Sequence, residues 1–150
     1  MNNKTYVADR SDYVSGEWDN EPDKENWIDP ETNYDCMIVR GPVGGLCGYV
    51  GVPESNPFFG RDYDDVPVHA HGGLTYGSFC SGHICHSSER YKTYWLGFDC
   101  AHSEDIVPSR HMPRFSNGAV YRNWAYVKNE VIILARQLKA LERLWKMQGG

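Results

Sequence analysis

The last thirty residues constrain the fold of this chain most. Trp124, Val127, Val131, Leu134, Leu138, Leu141 and Trp145 recur at alternating steps of three and four. That spacing puts one apolar stripe along one side of a helix. It predicts a long amphipathic C-terminal helix over about residues 120–146. A single helix of this kind must bury its stripe against something. The stripe keeps heptad register, so the partner is either a sheet in the same chain or the matching helix of a second copy, which would make a homodimer through this helix.

The segments that could supply a sheet lie upstream. Asp35-Cys36-Met37-Ile38-Val39-Arg40 and Leu46-Cys47-Gly48-Tyr49-Val50-Gly51-Val52 are short and rich in β-branched residues. The turn material Gly41-Pro42-Val43-Gly44-Gly45 lies between them, as in a hairpin. A third strand is expected in the aromatic run Tyr91 to Cys100. Pro53 to Pro67 and residues 106–118 read as loops, and the acidic run Asp62-Tyr63-Asp64-Asp65 lacks the spacing of a calcium loop. The fold class expected is α+β, a small and mainly antiparallel sheet with one long C-terminal helix. At 150 residues the chain is one domain, with residues 36–150 as its globular part.

Charge is unevenly placed. Residues 1–35 hold ten acids against three bases, while the remainder carries a balance of +2. The first 35 residues are expected to form an acidic arm of the same domain, anchored by the indoles of Trp18 and Trp27. A sequence pI of about 5.6 argues against a polynucleotide partner. It leaves room for a small anion held by a few arginines. No run approaches the roughly 18 apolar residues of a membrane span. The N-terminal residues Met1 to Tyr6 lack the apolar core of a secretory signal, so a cytosolic setting is expected.

All six histidines, His69, His71, His83, His86, His102 and His111, fall within one 43-residue interval, together with Cys80, Cys85 and Cys100. Three chemistries compete for this cluster. A zinc site could draw on Cys80, His83, Cys100 and His102, with His86 a further donor near the first pair. No C-x-x-C pair supports it, and no cofactor is expected. Acid–base chemistry could use His71, beside Gly72-Gly73, and His102, with Asp99 or Asp105 orienting an imidazole. A binding pocket could stack a base on Tyr76 or Trp95 and hold phosphate with Arg40, Arg110 and Arg122. Arg61 and Arg114 are further loop arginines of the same kind. With five cysteines and no export signal, a disulfide framework is not expected, and Cys36 and Cys47 read as buried thiols.

The ordered set Trp18-Asp19-Asn20-Glu21-Pro22-Asp23, Cys47 to Pro53, His71-Gly72-Gly73-Leu74-Thr75-Tyr76, Trp95-Leu96-Gly97-Phe98-Asp99-Cys100-Ala101-His102 and Tyr121-Arg122 followed by Tyr126-Val127 resembles a widespread family of small proteins encoded by tailed bacteriophages. The likeness runs from about residue 10 to residue 140. Where relatives read Ala-His-Ala/Ser-Gly-Asp, this chain has Ala101-His102-Ser103-Glu104-Asp105, so a turn glycine is replaced and the acid is kept. The resemblance brings no activity with it. It implies a phage protein at work in the host cytoplasm, where disarming nucleotide-signalled immunity is one recurrent task. Three functions follow as expectations. The chain could sequester a cyclic dinucleotide or a cyclic ADP-ribose species, hydrolyse such a molecule as a phosphodiesterase-like enzyme, or inhibit a host defence protein through its acidic arm.

Overall fold

The computed structural model describes residues 6–85, 91–112 and 118–149, so His86 and Arg114 lie outside it. Five strands form one antiparallel sheet: β1 (Lys24–Ile28), β2 (Asp35–Arg40), β3 (Leu46–Val52), β4 (Tyr76–Phe79) and β5 (Tyr94–Asp99). Their order across the sheet is β1-β2-β3-β5-β4. Two-residue strands β6 (Asp105–Ile106) and β7 (Val120–Tyr121) pair in parallel beside it. The chain ends in α1 (Trp124–Met147). This is the α+β architecture that the helix stripe and hairpin imply.

The hairpin β2–β3 has Arg40 opposite Leu46, with Gly41 to Gly45 turning the chain. Alternation along the strands divides the sheet into two faces. Cys36, Ile38, Leu46, Val50, Leu96 and Phe98 share one core with Val127, Val131, Leu134 and Leu138 of α1. Gly48 on β3 leaves the space that Val131 of the helix and Phe98 occupy. A Cβ there would stand 2.5 Å from Val131 Cγ2 and 2.6 Å from Phe98 Cζ. The opposite face carries Met37, Val39, Tyr49 and Trp95, covered by Tyr6, Tyr76 and Ile84. The stripe from Trp124 to Leu138 therefore packs on the sheet of its own chain, and its end at Trp145 does not. Ile133 in the middle of α1, and Leu144, Trp145 and Met147 in its last turns, remain exposed.

The helix begins at Trp124 rather than near residue 120, because the Asn123 side chain accepts the Tyr126 N–H at 3.0 Å and caps it. The acidic segment is more structured than an arm. It contributes edge strand β1, whose Lys24 to Ile28 pair residue by residue with β2. Both indoles do anchor it. Trp18 is buried edge-on against Tyr121, and Trp27 packs on the core beneath the Lys128 ammonium. No helix among the described residues is long and apolar enough to cross a membrane.

Candidate functional site around Asp105

Three separate stretches of chain meet at one buried carboxylate. Strand β5 ends at Asp99, and the following turn closes with Asp105 N–H donating to His102 C=O at 2.9 Å. This sets His102 and Asp105 side by side. β6 then pairs with β7, which delivers Arg122 and the start of α1 to the same place. His71 arrives on the long loop after β3. Gln137 of α1 clamps that loop at both polar groups of His69, accepting its N–H and donating to its C=O, each at 2.8 Å.

The Asp105 side chain is 1% exposed and satisfied on every side. His71 Nε2 lies 2.9 and 3.0 Å from its two oxygens. His102 Nδ1 lies 3.1 Å from Oδ2, and the His102 backbone N–H donates to the same oxygen at 3.0 Å. Arg122 Nε donates to Oδ1 at 3.0 Å. Burial alone would raise the Asp105 carboxyl pKa. The His102 amide, His71 and Arg122 outweigh it and hold the group below the ordinary carboxylate value. The Arg122 guanidinium is in turn pushed up by its bond to Asp105.

Each imidazole has an oxygen on its far side as well. His71 Nδ1 is 2.9 Å from the Tyr126 hydroxyl, and His102 Nε2 is 3.7 Å from Asp99 Oδ1. Asp99 is itself held by the Thr75 hydroxyl at 3.0 Å and the Ala101 N–H at 3.1 Å. Arg122 also lies over the Tyr126 ring, 5.2 Å from its centroid. His71, Gly72, His102, Asp105 and Arg122 line a cleft of about 290 Å³. The arrangement can therefore offer His102 Nε2 and the Arg122 guanidinium to a small anion and its attacking water, with His71 held by Asp105 and Tyr126. Among the described residues, His71, His102 and Asp105 also form the one group whose donor atoms sit close enough to share a metal ion, all within 4.8 Å.

The acid–base residues named from sequence, His71, Asp99, His102 and Asp105, thus come together, and Arg122 joins them. The other binding residues do not. Arg40 is sealed inside the protein, bonded to Asp23 at 3.0 Å, the Tyr121 hydroxyl at 2.7 Å, and the carbonyls of Gly44 and Pro22. Trp95 is fully buried on the second face of the sheet. Neither can reach a ligand. Arg110 is exposed and ties the N-terminal segment down through the Asp12 carbonyl, and Tyr76 lines a different pocket with Tyr49, Thr75 and Asp99.

The zinc quartet is also not assembled. Cys80 is joined to Cys85 in a disulfide, His83 stacks on Tyr6, and Cys100 is buried in the core. The disulfide itself corrects the expectation that none would form. The short loop Ser81 to Ile84 closes on itself through paired backbone bonds and brings the two sulfurs together. Tyr126 is the site residue to which sequence reasoning gave no role, although Tyr126-Val127 stands in the motif set of the resemblance, four residues after Arg122.

No family model matches the chain, and comparisons with curated proteins and with solved structures find no match either.

Proposed function

We propose that this chain is a small hydrolase that opens a phosphoester bond in a nucleotide-like anion. The observation that carries this reading is the Asp105 hub. One buried carboxylate fixes two imidazoles and a guanidinium on the wall of a single cleft. Arg122 bonds Asp105 through Nε alone, and its terminal nitrogens are suited to a phosphoryl group. The His71–Asp105–His102 cluster would activate the attacking water. The water oxygen adds to phosphorus, the ester P–O bond breaks, and the proton released from the water ends on the leaving oxygen.

Two other readings lose support. Of the residues named for sequestration, Arg40 and Trp95 are buried, and Tyr76 and Arg122 line different pockets. Inhibition through the acidic arm loses Glu21, Asp23 and Glu25, which are engaged by Arg40, Arg10 and Lys128, and keeps Asp9, Glu17, Asp19 and Glu31 exposed. The resemblance to tailed-phage proteins supplies the setting we propose. The enzyme works in the host cytoplasm, and its substrate is an immune signal of the cyclic dinucleotide or cyclic ADP-ribose type.

The test incubates purified protein with a panel of cyclic di- and trinucleotides and cyclic ADP-ribose isomers. The filtrate is analysed by HPLC before and after the retained protein is heated. A new product is expected, and its formation should collapse in both H71A and H102A. A compound that disappears and returns intact on heating would mean sequestration. A panel left untouched would remove the small-molecule reading altogether.

A further inference from the structure

The same three side chains have the composition and geometry of a catalytic metal centre. We propose that His71 Nε2, His102 Nδ1 and Asp105 Oδ2 bind one divalent transition-metal ion, of which zinc suits the set best. The inference deepens the hydrolase reading, because it names the agent that activates the water. The geometry that supports it is independent of any substrate.

Asp105 Oδ2 lies 3.0 Å from His71 Nε2 and 3.1 Å from His102 Nδ1. Donors about 2.0–2.1 Å from a tetrahedral zinc ion stand roughly 3.3 Å apart, so modest adjustment would admit the ion. Two imidazoles and one carboxylate make a three-donor set of the kind catalytic zinc sites use, leaving a fourth position for water. All three residues line the cleft.

The surroundings strengthen the assignment. In metal sites the non-ligating nitrogen of a histidine is normally held by an oxygen, which fixes the tautomer and turns the lone pair of the other nitrogen to the ion. His71 has such a group within hydrogen-bond distance, and His102 has a carboxylate close by. Tyr126 Oη is 2.9 Å from His71 Nδ1, and Asp99 Oδ1 is 3.7 Å from His102 Nε2. The Asp105 oxygen not assigned to the metal is occupied by Arg122 Nε at 3.0 Å, which orients the carboxylate. Arg122 also brings positive charge near the ion. That weakens the hold relative to a closed structural centre and places a phosphate-binding group beside the activated water. A bound zinc ion lowers the pKa of its water to about 7, so hydroxide is available at neutral pH.

The experiment uses the full chain with its disulfide intact. Metal-stripped protein is titrated with Zn²⁺ by calorimetry, and a Co²⁺-loaded sample is examined by visible absorption. One equivalent of zinc is expected, together with the intense d–d bands of a low-coordinate cobalt site. H71Q, H102Q and D105N should each abolish the bands and weaken zinc binding at least ~10-fold, and Y126F should weaken it by about the same factor. Circular dichroism and thermal melting identify any variant that has failed to fold. Y126F keeps every donor and serves as the second variant if one of the others does not fold. The inference is overturned if the wild-type chain binds no zinc, or if folded H71Q and H102Q bind it as well as wild type. Failure of this inference and failure of the hydrolase reading are separable. Turnover that survives complete chelation would remove the metal and keep the enzyme. Zinc binding without turnover on any substrate would do the reverse.

Discussion

Gly72 packs against the His102 imidazole so closely that a Cβ on Gly72 would stand 2.6 Å from Nε2 and 2.9 Å from Nδ1. Its φ of +70° is also a conformation that side chains other than glycine rarely adopt. The loop carrying His71 and the turn carrying His102 are locked together at this point. G72A should displace the His102 ring and lower both turnover and zinc affinity by ~10-fold or more, since misplacing a reacting group by about 1 Å is enough for such losses. Gly73, at φ +82°, has open space around its Cβ position. G73A should therefore cost about 1–2 kcal/mol of stability through backbone strain, with the His71–His102 geometry unchanged. Calorimetric zinc titration beside thermal melts of the two variants checks both outcomes. Equal behaviour of the two would refute the contact.

Arg40 is predicted to be structural. Its side chain is 0% exposed and holds Asp23, Glu21 and Tyr121 together behind β2. Removing one partner of a buried ion pair costs about 3–5 kcal/mol, because the remaining charge is left uncompensated. R40A should lower the urea midpoint accordingly or fail to accumulate. R122A removes a partly exposed cation and leaves Asp105 with His71 and the His102 N–H, so it should melt less far below wild type than R40A while losing turnover. A stable R40A with impaired ligand binding would contradict this division.

Acid should loosen the protein through two carboxylates remote from the cleft. Burial pushes Asp23 upward, but Arg10, the Ala8 N–H and Arg40 outweigh it and leave its pKa below the ordinary 3.8. Burial likewise opposes, and the Tyr34 hydroxyl, Lys146 and Lys139 overcome, at Glu142, which sits below its ordinary 4.5. A lowered folded-state pKa means that the unfolded chain binds more protons below the ordinary value. The stabilisation is complete above those values and is lost as pH falls through and below them. Urea melts at pH 7 and pH 3 should show the loss, and D23N and E142Q should each flatten it. An unchanged pH dependence in both variants would contradict the assignment.

Thiol labelling should separate the cysteines into two classes. Burial drives the Cys47 thiol up to about 11 and raises Cys36 and Cys100 further, so all three should react slowly in the folded protein. The Cys80–Cys85 disulfide lies at the surface, with Cys80 exposed. Mild reduction should release two fast-reacting thiols without loss of helical signal. Fast labelling before reduction would argue against the disulfide.

What could be read beforehand was what local pattern encodes. The helix has a period that only a helix satisfies, and β2 and β3 are β-branched on both sides of a glycine-rich turn. Lys24-Glu25-Asn26-Trp27-Ile28 has no such pattern and forms β1 only because β2 offers it an edge. Tyr76 to Phe79 contains a glycine and pairs solely with β5. His71, Asp99, His102, Asp105 and Arg122 could be named because clustered histidines and nearby acids are unusual in composition. Which arginine faces solvent could not be. Arg40 and Arg122 differ only in what the fold lays over them, and the cover on Arg40 comes from residues 17 to 81 positions away.

The most direct test of an enzyme built on Asp105 is turnover by D105N beside wild type, on whichever cyclic nucleotide the panel shows to be converted. Asparagine keeps the shape but removes the charge that holds His71, His102 and Arg122. A drop in kcat of ~100-fold or more is expected for folded D105N, the scale on which positioned acid–base groups act. A folded D105N that forms product at the wild-type rate would contradict the site.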